Sequence, residues 1–235
     1  MDFDFTPYFQ EYEALRATTD AVFEKVNQSY PAEVKCKPGC DDCCHALFDL
    51  TFIEALYVNH QFNRSLPPDQ RESIIEKANR TDRQLHKIKR HAAREVADGQ
   101  NEETIIKRLG QVRSRCPLLN DRHQCDLYDF RPITCRLYGI PLAIGGKGHT
   151  CGLSGFTPGT AYPTVSMDKL THSLYGLSSR LVRDMESRHH RMGEILVPLS
   201  MALLTDYDDT YLGTGPEETP EPTPHRRKRG TKCTT

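Results

Sequence analysis

A chain of 235 residues with a formal net charge of −1 can bury a sizeable core without staples, and its charge balance argues against a general nucleic-acid surface. Nine cysteines fall well below the roughly 8–10% that marks a disulfide scaffold. No run approaches the roughly 18 apolar residues of a membrane span, and the acidic start Met1-Asp-Phe-Asp-Phe lacks the basic and apolar regions of a secretory signal.

Taken in chain order, most of the polymer outside the cysteine segments reads as helix. Tyr8, Tyr12, Leu15, Thr19, Val22 and Val26 recur at spacings of three and four, a helical stripe that should end near Ser29-Tyr30-Pro31. Thr51-Phe-Ile-Glu54 fits a capping box opening a short helix through Ala55, Leu56, Tyr57 and Val58. Pro67-Pro68 suits a second start, with Ile74, Ile75, Ala78, Leu85, Ile88, Ala92 and Val96 as its stripe and Asp98-Gly99 as its stop. Asn101 can cap a further short helix carrying Ile105, Ile106 and Leu109. From Arg115 to Pro163 proline, glycine and cysteine recur every few residues, which predicts a loop-rich segment without a large core of its own. Helical period resumes from Met167 to Met192, and Ile195 to Leu204, interrupted by Pro198, fits strand or helix. The expected fold is mainly α: one domain over residues 1–212, with helical parts 6–112 and 167–212 and cysteine segments 36–44 and 115–152. A Pro-rich, charge-segregated tail, 213–235, is expected to be disordered. It carries Cys233 and the basic run His225–Arg229, which could touch nucleic acid or an acidic partner.

Cys36-Lys-Pro-Gly-Cys40-Asp-Asp-Cys43-Cys44 packs four thiols into nine residues, and Cys116, Cys125, Cys135 and Cys151 add four more. Without a secretory signal the chain is expected in the cytoplasm, where clustered thiols bind metal or do redox work. Tetrahedral zinc takes four Cys or His ligands and cubane iron–sulfur clusters take four thiolates, so eight cysteines fit two four-ligand sites or one cluster plus a zinc. In a helical turn Cys40, Cys43 and Cys44 would share one face. The adjacent pair Cys43 and Cys44 would strain to grip one ion together, so either the two serve different metals or one of them is an alternative or outlying sulfur. Cys36-x3-Cys40-x2-Cys43 also equals a radical S-adenosylmethionine pattern, but the alternating strands and helices of those enzymes are missing from the sequence. Arg131 and Arg136 flank Cys135 and can offset thiolate charge, or pair with Asp126 or Asp129 to fix the loop. Tyr128 and Tyr138 can donate to sulfur or simply pack. His45 and His123 could each replace a cysteine. His149, in Gly145-Gly-Lys-Gly-His149, belongs to a loop expected to let the chain approach the metal, whereas His189-His190 read as the solvated face of a basic helical stretch.

Cys116-Pro-Leu-Leu119 and Cys125-Asp-Leu-Tyr128-Asp-Phe-Arg131-Pro-Ile-Thr-Cys135-Arg136-Leu-Tyr138, followed by Cys151, combine thiols with fixed Tyr and Arg-Pro positions. With the upstream CxxxCxxCC, residues 36–152 resemble the YkgJ-type cysteine-cluster family of zinc- or iron-chelating domains. The resemblance implies metal binding through these cysteines without one agreed reaction. A similar cysteine set occurs in the flagellin lysine N-methylases, which are associated with an iron–sulfur cluster. Three classes of function are therefore expected. The first is a metal-binding protein whose eight cysteines hold zinc or an iron–sulfur cluster. The second is an iron–sulfur-dependent enzyme acting on a partner protein, and the third a zinc-stabilised interaction module.

Overall fold

The computed structural model describes residues 3–215; the basic run and Cys233 lie outside the described residues. The architecture is mainly α. In chain order the elements are α1 (Thr6–Ser29), a 3-10 turn (Asp42–His45), β1 (Asp49–Thr51), α2 (Phe52–Ser65), α3 (Pro68–Ala97) and α4 (Glu102–Leu109). After a second 3-10 turn (Tyr128–Phe130) come α5 (Ile133–Leu137), β2 (Leu142–Ile144), β3 (Lys147–His149), β4 (Val165–Ser166) and α6 (Met167–Asp184). A third 3-10 turn (Met192–Glu194), β5 (Leu196–Pro198), α7 (Leu199–Leu204) and α8 (Asp209–Leu212) complete it. Among the described residues the strands are two or three residues long and form two small sheets, β1 with β5 and β2 with β3 and β4, so the repeated parallel strand–helix units of a radical S-adenosylmethionine barrel are absent from them.

α2 sits at the centre, and its residues from Phe52 to Asn59 are buried without a break, as expected of a helix packed on all sides. Phe52, Ile53, Leu56 and Tyr57 enter one apolar cluster with Tyr12, Val26, Ile133, Leu137, Leu177 and Leu181. Ala55, Val58 and Phe62 enter a second with Leu50, Ile74, Ala78, Leu118, Leu127, Val197 and Leu203. The segment 115–163 thus has no separate core, but its Leu118, Leu127, Ile133, Leu137 and Phe156 are buried in cores that the helices share. Packing against the helices therefore already holds this segment.

The strands are too short for period two to show in sequence. β1 and β5 pair antiparallel with Leu50 opposite Val197. β2 pairs antiparallel with β3 and parallel with β4. The stretch from Ile195 to Leu204 is strand and helix in succession, β5 then α7, divided at Pro198. That proline ends a ladder in which it needs no donor and precedes the first residue of a helix. α6 stops at Asp184 rather than near Met192, because Glu186 adopts a left-handed conformation (φ 54°); His189 and His190 therefore lie in a turn and not on a helix. Of the expected tail, Gly213 to Gly215 lie against the fold, where Arg188 donates to the Gly213 and Gly215 carbonyls at 3.1 and 2.8 Å.

The capping box at Thr51 does more than start α2. Glu54 accepts from the Thr51 amide (3.2 Å) and hydroxyl (2.9 Å), and its other oxygen accepts from the Ile133 amide (3.2 Å) and the Tyr12 hydroxyl (3.4 Å). One carboxylate therefore serves the N-termini of both α2 and α5, where partial positive charge gathers. Burial pushes this carboxyl above the usual glutamate range, against the pull of those donors. Since the folded state binds that proton more tightly, its contribution to stability is full below the unfolded pKa and is lost as pH rises through the folded one. Glu54→Ala leaves several buried donors without a partner and should cost about 3 kcal/mol in a denaturant titration. A loss below about 1 kcal/mol would show that water replaces the carboxylate freely.

Candidate metal centre

Lys37-Pro38-Gly39-Cys40 is a type II turn in which Pro38 presets φ, Gly39 takes the left-handed position (φ 88°), and the Cys40 amide donates to the Lys37 carbonyl at 2.9 Å. Asp41 (φ −123°, ψ 15°) is not helical, and the turn that follows, Asp42–His45, is 3-10. The α-turn expected to gather Cys40, Cys43 and Cys44 on one face is thereby replaced. With three residues per turn, neighbouring side chains diverge by about 120°, so Cys43 and Cys44 leave the backbone on different sides.

Backbone pairing brings the second segment to the first. The Cys116 amide donates to the Cys44 carbonyl at 2.7 Å, the Ser114 amide to the His45 carbonyl at 3.0 Å, and Ala46 bridges Arg113 antiparallel. Cys125 returns beside Cys116 through the Leu119–Cys125 bridge and the Asp126 amide on the Leu118 carbonyl (2.8 Å). Asn120 organises that loop by accepting from the amides of Arg122 and Gln124 and donating to Asp126. Cys135 is the third residue of α5. Cys151 follows β3, donates to Asp42 at 3.3 Å, and sits in a loop fastened to the N-terminal segment by the Gly155 amide on the Glu33 carbonyl (2.7 Å).

All eight of these cysteines are unpaired by disulfide, and they line two adjoining spaces. A cleft of about 500 Å³ is lined by Cys36, Cys40, Cys43, Cys44, Cys125, Cys135 and Cys151, with Arg131, His123, Tyr128 and Tyr138 around them. A narrower, mostly apolar cavity of about 50 Å³ is lined by Cys43, Cys44, Cys116, Cys125 and Cys135, with Leu118, Leu127 and Phe130. Among the described residues no group of three or more His, Cys, Asp or Glu side chains is already gathered in ion-holding geometry. The thiols face common spaces; they do not converge on one point.

Electrostatics separate the thiols by neighbourhood. Burial, then the nearby Cys40, Cys151 and Cys43, push Cys36 up to about 11. Burial and Cys125 push Cys116 up to about 12, and burial pushes Cys125 to about 11. The Cys135 and Cys44 thiols hydrogen-bond to Cys43, which holds Cys43 well below the usual thiol value and raises both donors. A dense set of buried, mutually repelling thiols is a donor set that a cation relieves, so the residues present fit a thiolate-held metal.

The two arginines divide their work. Arg136 is buried, donates to Asp20 of α1 at 2.7 Å and to the Arg131 and Asp129 carbonyls, and so fixes the loop. Its acid partner is Asp20, not Asp126 or Asp129. Arg131 stacks 3.6 Å from the Tyr128 ring centroid and favours the ionised form of Cys36, Cys43 and Cys125. Tyr128 is exposed, and Tyr138 hydrogen-bonds Arg113. His45 Nδ1 lies 3.1 Å from the Asp41 carbonyl and His123 Nδ1 2.8 Å from the Asp41 carboxylate. His149 is exposed on β3. Gly145 and Gly146, both at positive φ (57° and 73°), form the hairpin turn between β2 and β3; they do not bring backbone to the cysteines, which corrects the role expected of that loop. Asp42, Arg113 and Gly139 also border the site and carried no signal, because their contacts join residues far apart in the chain.

A family model described as "CxxCxxCC: Putative zinc- or iron-chelating domain" matches residues 35–152, half the chain. The chain belongs to this CxxCxxCC family. No curated protein and no solved structure matches it. Membership in a zinc- or iron-chelating family supports metal binding in general, and the matched span carries all eight clustered cysteines. No helix among the described residues is long and apolar enough to cross a membrane.

In this CxxCxxCC domain Gly139 presses against Cys36: a Cβ there would lie 2.1 Å from Cys36 Sγ. Gly139→Ala should displace that thiol while leaving the core intact. Alkylation of metal-loaded protein, mapped by mass spectrometry, should then find Cys36 labelled and Cys116 still protected. Equal labelling of Cys36 in the metal-loaded wild type and variant would show that the thiol holds no metal there.

Proposed function

We propose that this protein is a metal-binding protein in which Cys36, Cys40, Cys43, Cys44, Cys116, Cys125, Cys135 and Cys151 hold zinc or an iron–sulfur cluster. The reading is carried by one observation: both cysteine segments, more than seventy residues apart in sequence, line the same pair of adjoining spaces. Arg131 at the same spaces supports it, since four thiolates on a divalent ion leave a charge of about −2 that a guanidinium offsets. The narrow cavity, with room for little more than a water molecule, suits a single ion such as zinc. The wider cleft has room for a cluster.

The cleft favours a second reading, an enzyme in which a cluster assists modification of a partner protein, as in the flagellin lysine N-methylases. It is open, and Arg131, His123, Tyr128 and Tyr138 line it beside the thiols. A cytoplasmic setting, in which thiols stay reduced, is part of both readings.

The deciding measurement is anaerobic purification with absorption spectroscopy and quantification of zinc, iron and sulfide. Stoichiometric iron and sulfide with a band near roughly 400 nm identify a cluster, whereas colourless zinc protein identifies a zinc domain. Folded, metal-free protein with paired disulfides would overturn the proposal. Cys40→Ser and Cys135→Ser should each lower metal content and loosen residues 115–163 to proteolysis; unchanged metal in either removes that cysteine from the set. Zinc affinity should rise with pH through the neutral range, about tenfold per unit for each thiol that must lose its proton on binding. A flat profile would mean that the thiols are not the ligands.

A further inference from the structure

We propose that the eight thiols divide four and four, with Cys36, Cys40, Cys43 and Cys151 holding a metal that faces the cleft and Cys44, Cys116, Cys125 and Cys135 holding a second in the narrow cavity. The inference rests on the reading above, that these cysteines bind metal, and adds the partition and the difference in access.

Three geometric observations carry it. Cys36, Cys40 and Cys151 line the cleft and not the narrow cavity, whereas Cys116 lines the narrow cavity and not the cleft. The backbone makes the same division. The ladder from Cys44 to Cys116 and the bridge at Leu119–Cys125 assemble one group. Gly155 on Glu33 and Cys151 on Asp42 bring Cys151 to the segment that carries Cys36 and Cys40. The third observation is the 3-10 turn. Neighbours in such a turn diverge by about 120°, so Cys43 and Cys44 leave Asp42–His45 in different directions; Cys43 is a neighbour of Cys36, and Cys44 is a neighbour of Cys116 and Cys125. Cys43 touches both Cys44 and Cys135 and is the wall between the sites. Cys135, with Cys116 and Cys125 as neighbours, completes the inner group.

The two spaces differ tenfold in volume, about 500 against about 50 Å³. Cys36, on the cleft, is exposed, whereas burial dominates the surroundings of Cys116 and Cys125, so a chelator takes the cleft metal first and the inner metal more slowly. The loop 115–137 is packed into the second apolar cluster through Leu118 and Leu127, and the inner metal adds to that packing. The cleft metal is the exchangeable or reactive one.

Cobalt(II) tests the division, since its thiolate charge-transfer and ligand-field bands report each tetrahedral site. The reduced full chain should take up two equivalents. Cys36→Ser/Cys151→Ser should bind one, with Cys44, Cys116, Cys125 and Cys135 protected from alkylation. Cys116→Ser/Cys125→Ser should bind the other, with Cys36, Cys40, Cys43 and Cys151 protected. Chelator challenge of the wild type should release cobalt in two phases, and the fast phase should be missing from Cys36→Ser/Cys151→Ser. If the inner double variant fails to fold, the single variants Cys43→Ser and Cys44→Ser decide: the first should remove the fast phase and the second the slow one. Loss of both metals together from every variant, or the same phase lost in Cys43→Ser and Cys44→Ser, would overturn the partition and leave one composite site. A wild type that binds no cobalt through its thiols would instead sink the metal-binding reading itself.

Discussion

The arrangement of the cysteines depends on a polar clamp that fixes the loop from Asp129 to Arg136. Arg16 of α1, buried among the Tyr12, Tyr57 and Phe130 rings, donates to the Asp129 carbonyl and to the Tyr57 hydroxyl. Asp20, one helical turn further along α1, holds Arg136, which donates to the Asp129 and Arg131 carbonyls. Glu54 of α2 receives the Ile133 amide at the start of α5. Buried carbonyls and amides of an irregular loop must find partners, and here Arg16 of α1, Glu54 of α2 and Arg136 of α5, itself held by Asp20, supply them. Charge-assisted bonds of this kind contribute about 1.5–3 kcal/mol each, enough to hold a five-residue helix that could not form alone. Cys135 is on that helix and Arg131 directly precedes it, so the position of both is set by α1 and α2 before any metal is considered.

The first cysteine segment is held by different means. Pro38-Gly39 bends the chain, and Asp42 and Arg113 form an ion pair across to the loop stretch that carries Cys116. Asp42 also accepts the Cys151 thiol. A single aspartate thus ties together three separate stretches, each bearing cysteines. The consequence is a scaffold in which the backbone around the thiols is fixed by the protein's own hydrogen bonds and ion pairs. Metal binding then asks for side-chain rotation and proton loss more than for loop closure, and the helical cores are built without it.

What the sequence disclosed follows from the range of the interactions. α1, α2, α3 and α4 were legible because their stripes, caps and stops are local: the Thr51–Glu54 box, the Pro67-Pro68 start and the Asn101 cap all stand where expected. The strands were not, since three residues cannot show alternation. The family could be read because its thiols and Arg-Pro pair occupy fixed spacings. The partners of those residues could not: Asp20 lies 116 positions from Arg136 and Glu54 lies 79 from Ile133. Sequence offered Asp126 and Asp129 as the acids for Arg136 because they were near in the chain. The fold chose an acid on α1 because the loop packs against that helix.

The same contrast explains why the adjacent pair Cys43-Cys44 carries so much of the argument. Read locally, two neighbouring thiols are awkward ligands for one ion, and an α-turn would still have placed both on the face of Cys40. In the fold Cys40 lies outside the 3-10 turn, so the shared face is lost, and the Cys44 carbonyl accepts from the Cys116 amide. The two residues are adjacent in the chain, and both line the cleft and the narrow cavity, so the pair stands where the two spaces meet. A spacer residue inserted there would move every ligand on one side relative to the other. The CC dipeptide is in this sense a geometric element, setting how close two thiolate-lined spaces can stand while sharing a wall.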